Sequence, residues 1–207
     1  VMKFRAVGLD FRKQEHLDRL SQTVYESFLN WRDAEGSLFH CQGTRVGLGG
    51  HMAKIHTEFG DKHVLDLISN PNANSAGNGV AMGLLGATML AQSFQEAEAL
   101  GVACGRATHP GKDALDVTAC MSHMLYHAAH STETSLRTRF DQMMAQTQQS
   151  FSSKLGTRST TKSILAKDWE SKPIRNDEPK GLMGAWICPG RGTINDSLQM
   201  SLRIVHD

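Results

Sequence analysis

Apolar side chains recur at intervals of three or four residues over much of this chain. In the first such segment, 13–33, charged and polar residues fill the positions between the apolar ones. The recurring apolar residues are Leu17, Leu20, Val24, Phe28 and Trp31. This spacing predicts one amphipathic helix that buries a single stripe of side chains.

The same periodicity predicts further helices along the rest of the chain. They cover 80–91, 93–108, 112–130, 133–151 and 194–205. Ser93 with Glu96 three residues later is typical of a capping box at a helix start. The segment 152–179 is polar and is predicted to be a long loop. Because alternating strand patterns are few and no internal repeat is present, we predict an all-α fold, with 1–207 as a single domain.

Composition excludes several classes of protein. The 207 residues carry 22 basic and 21 acidic side chains, so charge gives no indication of nucleic-acid binding. No apolar run approaches about 20 residues, which predicts no membrane span. The four cysteines form no CxxC pair and are predicted to be reduced, mostly space-filling thiols of a cytoplasmic protein. They are Cys41, Cys104, Cys120 and Cys188.

A glycine-rich turn stands before the predicted helix at 80–91. Gly77 and Gly79 flank Asn78, and Ser75 lies just before them. A turn of this kind leaves the first helical N–H groups unpaired, which suits a phosphate or diphosphate. An ordinary turn, with Asn or Ser capping the helix through its side chain, fits the same residues.

His109 is the best candidate partner for this turn. Pro110 disfavours helix at the residue before it, so His109 is predicted to lie at a helix end. Two consecutive antiparallel helices would return the chain to the same end of the bundle and bring His109 near the turn. There it can bind a phosphate or a ribose hydroxyl, or assist proton transfer. A structural histidine bonded to a backbone carbonyl is the alternative.

Candidate metal ligands are weaker. His123, His127 and His130 share one helical face, a spacing that can bind zinc, but no HExxH glutamate accompanies them. A solvated or packing face is therefore the preferred interpretation. The acidic residues examined as magnesium ligands stand alone in the sequence, without Asp-Asp or Asp-x-Asp pairs. They are Asp10, Asp61, Asp113, Asp116 and Asp196.

Two motifs together carry a family resemblance. The stretch 75–82 (Ser-Ala-Gly-Asn-Gly-Val-Ala-Met) followed by 108–110 (Thr-His-Pro) resembles the ADP-ribosylglycohydrolase family. Weaker matches are 28–31 (Phe-Leu-Asn-Trp), 43–44 (Gly-Thr) and 192–198 (Gly-Thr-Ile-Asn-Asp-Ser-Leu). The resemblance implies an all-α orthogonal bundle and a hydrolase that removes ADP-ribose from a modified protein side chain or related conjugate.

The resemblance also implies a substrate site. Ser75, Gly77, Asn78 and Gly79 would cradle the ADP-ribose diphosphate, and His109 would contact the phosphate or the distal ribose. Gly43 would line the same cleft, and His109 is the possible auxiliary catalytic residue.

The family's cofactor is a pair of magnesium ions, held by acidic motifs near both ends of the domain. Neither motif occurs in this sequence, so we expect a chain truncated at both ends, inactive alone, with no metal ligands of its own. A diverged, catalytically inactive ADP-ribose-binding relative is the alternative, and a helical nucleotide-binding module of another family is the third interpretation. Gly83 stands where the family usually has Arg.

Overall fold

The computed structural model describes residues 8, 10–33, 77–151, 160–174, 187 and 193–206. In these parts of the chain the secondary structure is helical, with two isolated β-bridges and no strand. The all-α fold class predicted from the sequence is confirmed. No helix within these ranges is long and apolar enough to cross a membrane.

Eight α-helices and one short 3-10 helix make up the described secondary structure. They are α1 (Gln14–Asp33), α2 (Gly79–Met82), α3 (Leu84–Met89), α4 (Phe94–Arg106), α5 (Lys112–His130), α6 (Leu136–Phe151), α7 (Thr160–Leu165), the 3-10 helix (Asp168–Glu170) and α8 (Ile194–His206). The predicted helices at 13–33, 112–130 and 194–205 agree with α1, α5 and α8 to within one residue at each end.

The helix starts follow local capping. The Glu96 N–H donates to Ser93 Oγ at 3.2 Å, as the capping-box spacing predicted, and α4 begins directly after Ser93. The helix predicted from 133 begins later, because Ser135 Oγ accepts a hydrogen bond from the Thr138 N–H at 3.3 Å. A hydroxyl in this position satisfies a backbone N–H that has no partner within the helix.

Two segments differ from the sequence prediction. The helix expected at 80–91 is divided into α2 and α3 at Gly83, where glycine's low helix propensity permits a break. The segment 152–179, expected to be a loop, contains α7 and the 3-10 helix in its described part. Ile164 and Trp169 are fully buried there. Burial of these few apolar side chains orders a stretch whose composition is otherwise polar.

The core centres on α4 and α5, which cross at very short range. A Cβ added to Gly101 of α4 would lie 1.9 Å from Ser122 Oγ of α5. One cluster of buried side chains joins α5 to α6, α7 and α8, and a second joins α4 to α1 and α3. Val80 of α2 belongs to the first cluster, which places the start of α2 on the core.

The C-terminal half of α4 is tied to α1 by polar contacts. Arg106 Nη1 lies 2.8 Å from Asp18 Oδ1, and both side chains are largely buried. Ser21 Oγ, fully buried, donates to the Ala103 carbonyl at 2.7 Å. These bonds satisfy polar groups that would otherwise be costly to bury. They fix the end of α4 that leads into Thr108 and His109.

Candidate functional site

The glycine turn runs directly into α2, a helix of four residues. The Ala81 N–H donates to the Asn78 carbonyl at 3.0 Å, and Val80 is buried beneath the turn. Asn78 occupies the N-cap position, but its side chain makes no capping hydrogen bond. The side chain of Asn78 is therefore not used as an ordinary helix cap.

His109 lies against this turn. Its side chain is 2% exposed, and a Cβ on Gly79 would lie 3.3 Å from His109 Cε1 and 3.6 Å from Nε2. Nδ1 is 2.9 Å from Thr108 Oγ1, and the His109 N–H donates to the Gly105 carbonyl at 2.7 Å. The predicted proximity of His109 to the glycine turn is confirmed by this contact, although three helices, α2, α3 and α4, rather than two, separate them.

The start of α8 meets the same turn from another direction. Gly77 forms an antiparallel bridge with Thr193. Asn78 Nδ2 donates to Ser197 Oγ at 3.3 Å, across 119 positions of sequence. Sequence reasoning did not assign Thr193 or Ser197 to the site. The only signal was the position of 192–198 among the weaker family matches, because periodicity carries no information about which distant segments meet.

Thr193 is itself fixed by a reciprocal pair of bonds. Its hydroxyl donates to Asp196 Oδ2 at 2.6 Å and accepts from the Asp196 N–H at 3.2 Å. Asp196 is 3% exposed. A hydroxyl–carboxylate bond of this length is charge-assisted and stronger than a neutral one. Asp196, considered from the sequence as an isolated acid, is thus part of the structure that borders the turn.

Some residues expected at the site are not placed by the structure. Ser75 and Gly43 lie outside the described residues.

Cys104 and Cys120 are space-filling rather than nucleophilic, since burial raises the pKa of the Cys104 thiol to about 11 and raises that of Cys120 further.

The three histidines of α5 form a separate cluster. His123 is fully buried, with Nε2 2.8 Å from Glu98 Oε2 of α4. Its ring packs against Phe94 and Phe151, at centroid distances of 5.1 and 4.6 Å. His130 is exposed and stacks on Tyr126. One of these histidines therefore packs in the interior and another lies at the surface.

The described parts of the chain contain no three His, Cys, Asp or Glu side chains that lie close enough to hold a metal ion together. Asp196 is a buried carboxylate in the first turn of α8, and one of its oxygens accepts a hydrogen bond from the Thr193 hydroxyl. The described residues do not fit a dimagnesium centre.

The fold and the site together define the class of this protein. It is an all-α protein in which a glycine turn lies against a buried histidine. A sequence model of the family described as ADP-ribosylglycohydrolase matches residues 7–206. The chain belongs to the ADP-ribosylglycohydrolase family, a family of hydrolases, and the resemblance seen in its motifs is confirmed. No curated protein and no solved structure matches it.

Proposed function

We propose that this protein hydrolyses the N- or O-glycosidic bond between ADP-ribose and a modified protein side chain or related conjugate. The observation that carries the proposal is the contact between the glycine turn and His109. Family membership supplies the reaction class, and the turn supplies a surface that a diphosphate can approach.

The turn is suited to an anion by what it lacks. Gly77 and Gly79 add no Cβ atoms to the turn, and the His109 ring borders the Cβ position of Gly79, so a ligand bound at this turn would meet both backbone and imidazole. We assign Gly77, Asn78 and Gly79, together with Ser75, to the diphosphate. We assign Gly43 to the same cleft with less to support it, because only its place in the sequence pattern indicates it.

His109 is oriented by its neighbours. The bond from Nδ1 to Thr108 Oγ1 fixes the ring so that its Cε1–Nε2 edge lies at Gly79. We assign this edge to the phosphate or the distal ribose, where an imidazole can donate to or accept from oxygen. Because the ring is buried and held at both backbone and side chain, it would meet the ligand without a loss of rotamer entropy.

We also propose that the reaction depends on magnesium, because the chain belongs to this family. No group of three or more His, Cys, Asp or Glu side chains that could hold it lies among the described residues. Catalysis and binding are therefore tested separately, and binding is assigned to the chain's own turn and histidine.

Calorimetry with ADP-ribose, ATP and NAD tests the binding half of the proposal. We expect ADP-ribose to bind more tightly than ATP, and His109→Ala to weaken ADP-ribose binding about tenfold, equivalent to about 1.4 kcal/mol. His130→Ala is the matched control, because His130 is exposed and lies away from the turn on the last turn of α5. Tighter binding of ATP than of ADP-ribose would contradict the assignment.

Release of ADP-ribose from an ADP-ribosylated protein tests the catalytic half. We expect the reaction to require magnesium and to stop with EDTA, so sustained turnover by the 207-residue chain in EDTA would refute metal dependence. The alternative, a catalytically inactive relative that binds ADP-ribose, makes the same contacts at the turn. It is the better description if ADP-ribose binds but the protein releases no ADP-ribose in magnesium.

A further inference from the structure

The glycine turn is held on the side of α8 by contacts that the sequence motifs do not include. Thr193 bridges Gly77 through the backbone, and Ser197 accepts a hydrogen bond from the Asn78 amide. These contacts come from the first turn of α8, whereas His109 contacts the turn from the connection between α4 and α5. The turn therefore lies between two segments that are far apart in sequence.

The first turn of α8 is held by local hydrogen bonds. Thr193 and Asp196 exchange two hydrogen bonds, one of them a charge-assisted bond of 2.6 Å. This arrangement satisfies a backbone N–H at the helix start, as an N-cap does. It also fixes the backbone of Thr193, which is the residue that pairs with Gly77.

The rest of α8 connects this turn to the core. Ile194 is 1% exposed, and Leu198 and Leu202 are buried in the same cluster as Val80 of α2. Val80 follows Gly77 closely in the chain, and Ile194 follows Thr193. Both sides of the bridge are thus anchored in the same apolar cluster. A change in the Thr193 side chain would therefore act on the glycine turn through the Thr193 backbone.

We propose that Thr193 and Asp196 are positioning residues for the ADP-ribose site, because their side-chain pair fixes the backbone that aligns Gly77. The inference rests on the proposed function for the identity of the ligand. It adds residues of α8 to a site that the motifs confine to the glycine turn and His109. Neither residue is assigned a contact with the ligand.

Hydrogen exchange and calorimetry on Thr193→Val test the proposal. Valine keeps the branched shape of threonine but removes both hydrogen bonds. We expect amides in the peptide covering 77–83 to exchange at least about tenfold faster, and the Kd for ADP-ribose to rise about tenfold. Thr193→Ser restores the hydroxyl and should keep both values near those of the unmodified chain. Asp196→Asn, which removes the charge, should change exchange in the same direction by less.

Ser93→Ala is the matched control. It removes the corresponding helix-start bond from α4, at the end opposite to Gly105 and His109. We expect it to lower the melting temperature without changing exchange at 77–83 or ADP-ribose binding. The proposal is overturned if Thr193→Val leaves exchange at 77–83 unchanged, or if Ser93→Ala accelerates it equally. Exchange is measured without ligand, so absence of ADP-ribose binding by the unmodified chain would refute the proposed function while exchange still decides whether Thr193 aligns the turn.

Discussion

Gly79 and His109 define the candidate site at the scale of single residues. The His109 ring is in contact distance of the position that a Cβ on residue 79 would occupy, and it is held there by Thr108 and Gly105. A separation of 3.3 Å is tighter than most carbon–carbon contacts, so one of the two groups must shift when a methyl group is added. The contact with His109 thus favours glycine at this position.

Gly79→Ala should therefore displace the His109 ring and weaken ADP-ribose binding about tenfold. Calorimetry measures the affinity, and the imidazole resonances in an NMR spectrum report the displacement. Gly86→Ala in α3 is the matched control, because a Cβ there meets nothing within 4 Å. Equal losses of affinity in the two variants would show that the contact with His109 is not the cause.

At the scale of the helices, the crossing of α4 and α5 depends on Gly101, which has no side chain. Gly101 faces Ser122, whose hydroxyl donates to the Thr118 carbonyl within α5 and so has little freedom to move. A Cβ on Gly105, one turn further along α4, would lie 3.2 Å from Val80 Cγ2 and 3.3 Å from Thr118 Cγ2. Thr108 and His109 lie in the short connection between these two closely packed helices.

Gly101→Ala should destabilise the protein by about 1–3 kcal/mol, because the added methyl group overlaps Ser122 Oγ. Gly83→Ala is the control with the opposite expected sign. Gly83 has helical backbone angles, φ −83° and ψ −11°, and space for a Cβ, so alanine there should stabilise by about 0.5–1 kcal/mol. Urea unfolding measures both variants. Partial recovery of stability in the double variant Gly101→Ala, Ser122→Ala would identify the hydroxyl as the obstacle.

At the scale of the whole molecule, an aromatic and histidine cluster joins three helices. Phe94 of α4, His123 and His127 of α5, and Phe151 of α6 pack ring against ring. His127 Nε2 is buried, and no described residue provides it with a hydrogen-bond partner. Burial, followed by the nearby His123 and His130, lowers the pKa of His127. Glu98 faces this cluster through its bond to His123.

Protonation of His127 should therefore couple to global unfolding. Since its pKa is lower in the folded chain than its unfolded value of about 6.5, the unfolded state takes up the proton first as the pH falls. The stability contribution is fully present above about pH 6.5 and is lost as the pH falls below that value. Melting temperatures measured between about pH 5 and pH 8 should show this loss. His127→Gln should reduce the loss on the acid side, and an unchanged pH dependence in that variant would contradict the assignment.

The amphipathic helices and the helix-start signals were predictable because they depend on neighbours in sequence. The apolar stripe of α1 and the Ser93 cap of α4 use interactions over three or four residues. The glycine turn and His109 were also recognisable, since residue type and the intervening helices together indicated their contact. The break at Gly83 and the helix α7 were not predicted. Apolar periodicity continues across Gly83 although glycine weakens a helix there, and α7 depends on burial of Ile164 and Trp169.

Sequence alone thus determined the all-α class, the principal helices, the family and the two motifs that meet at the candidate site. Only the tertiary structure decided that the first turn of α8 borders the glycine turn, and that Gly101 meets Ser122. The physical reason is range. Hydrophobic periodicity and capping act within one or two turns of a helix, whereas the bond from Asn78 to Ser197 spans 119 positions. Which distant surfaces meet is settled by the packing of all the helices together.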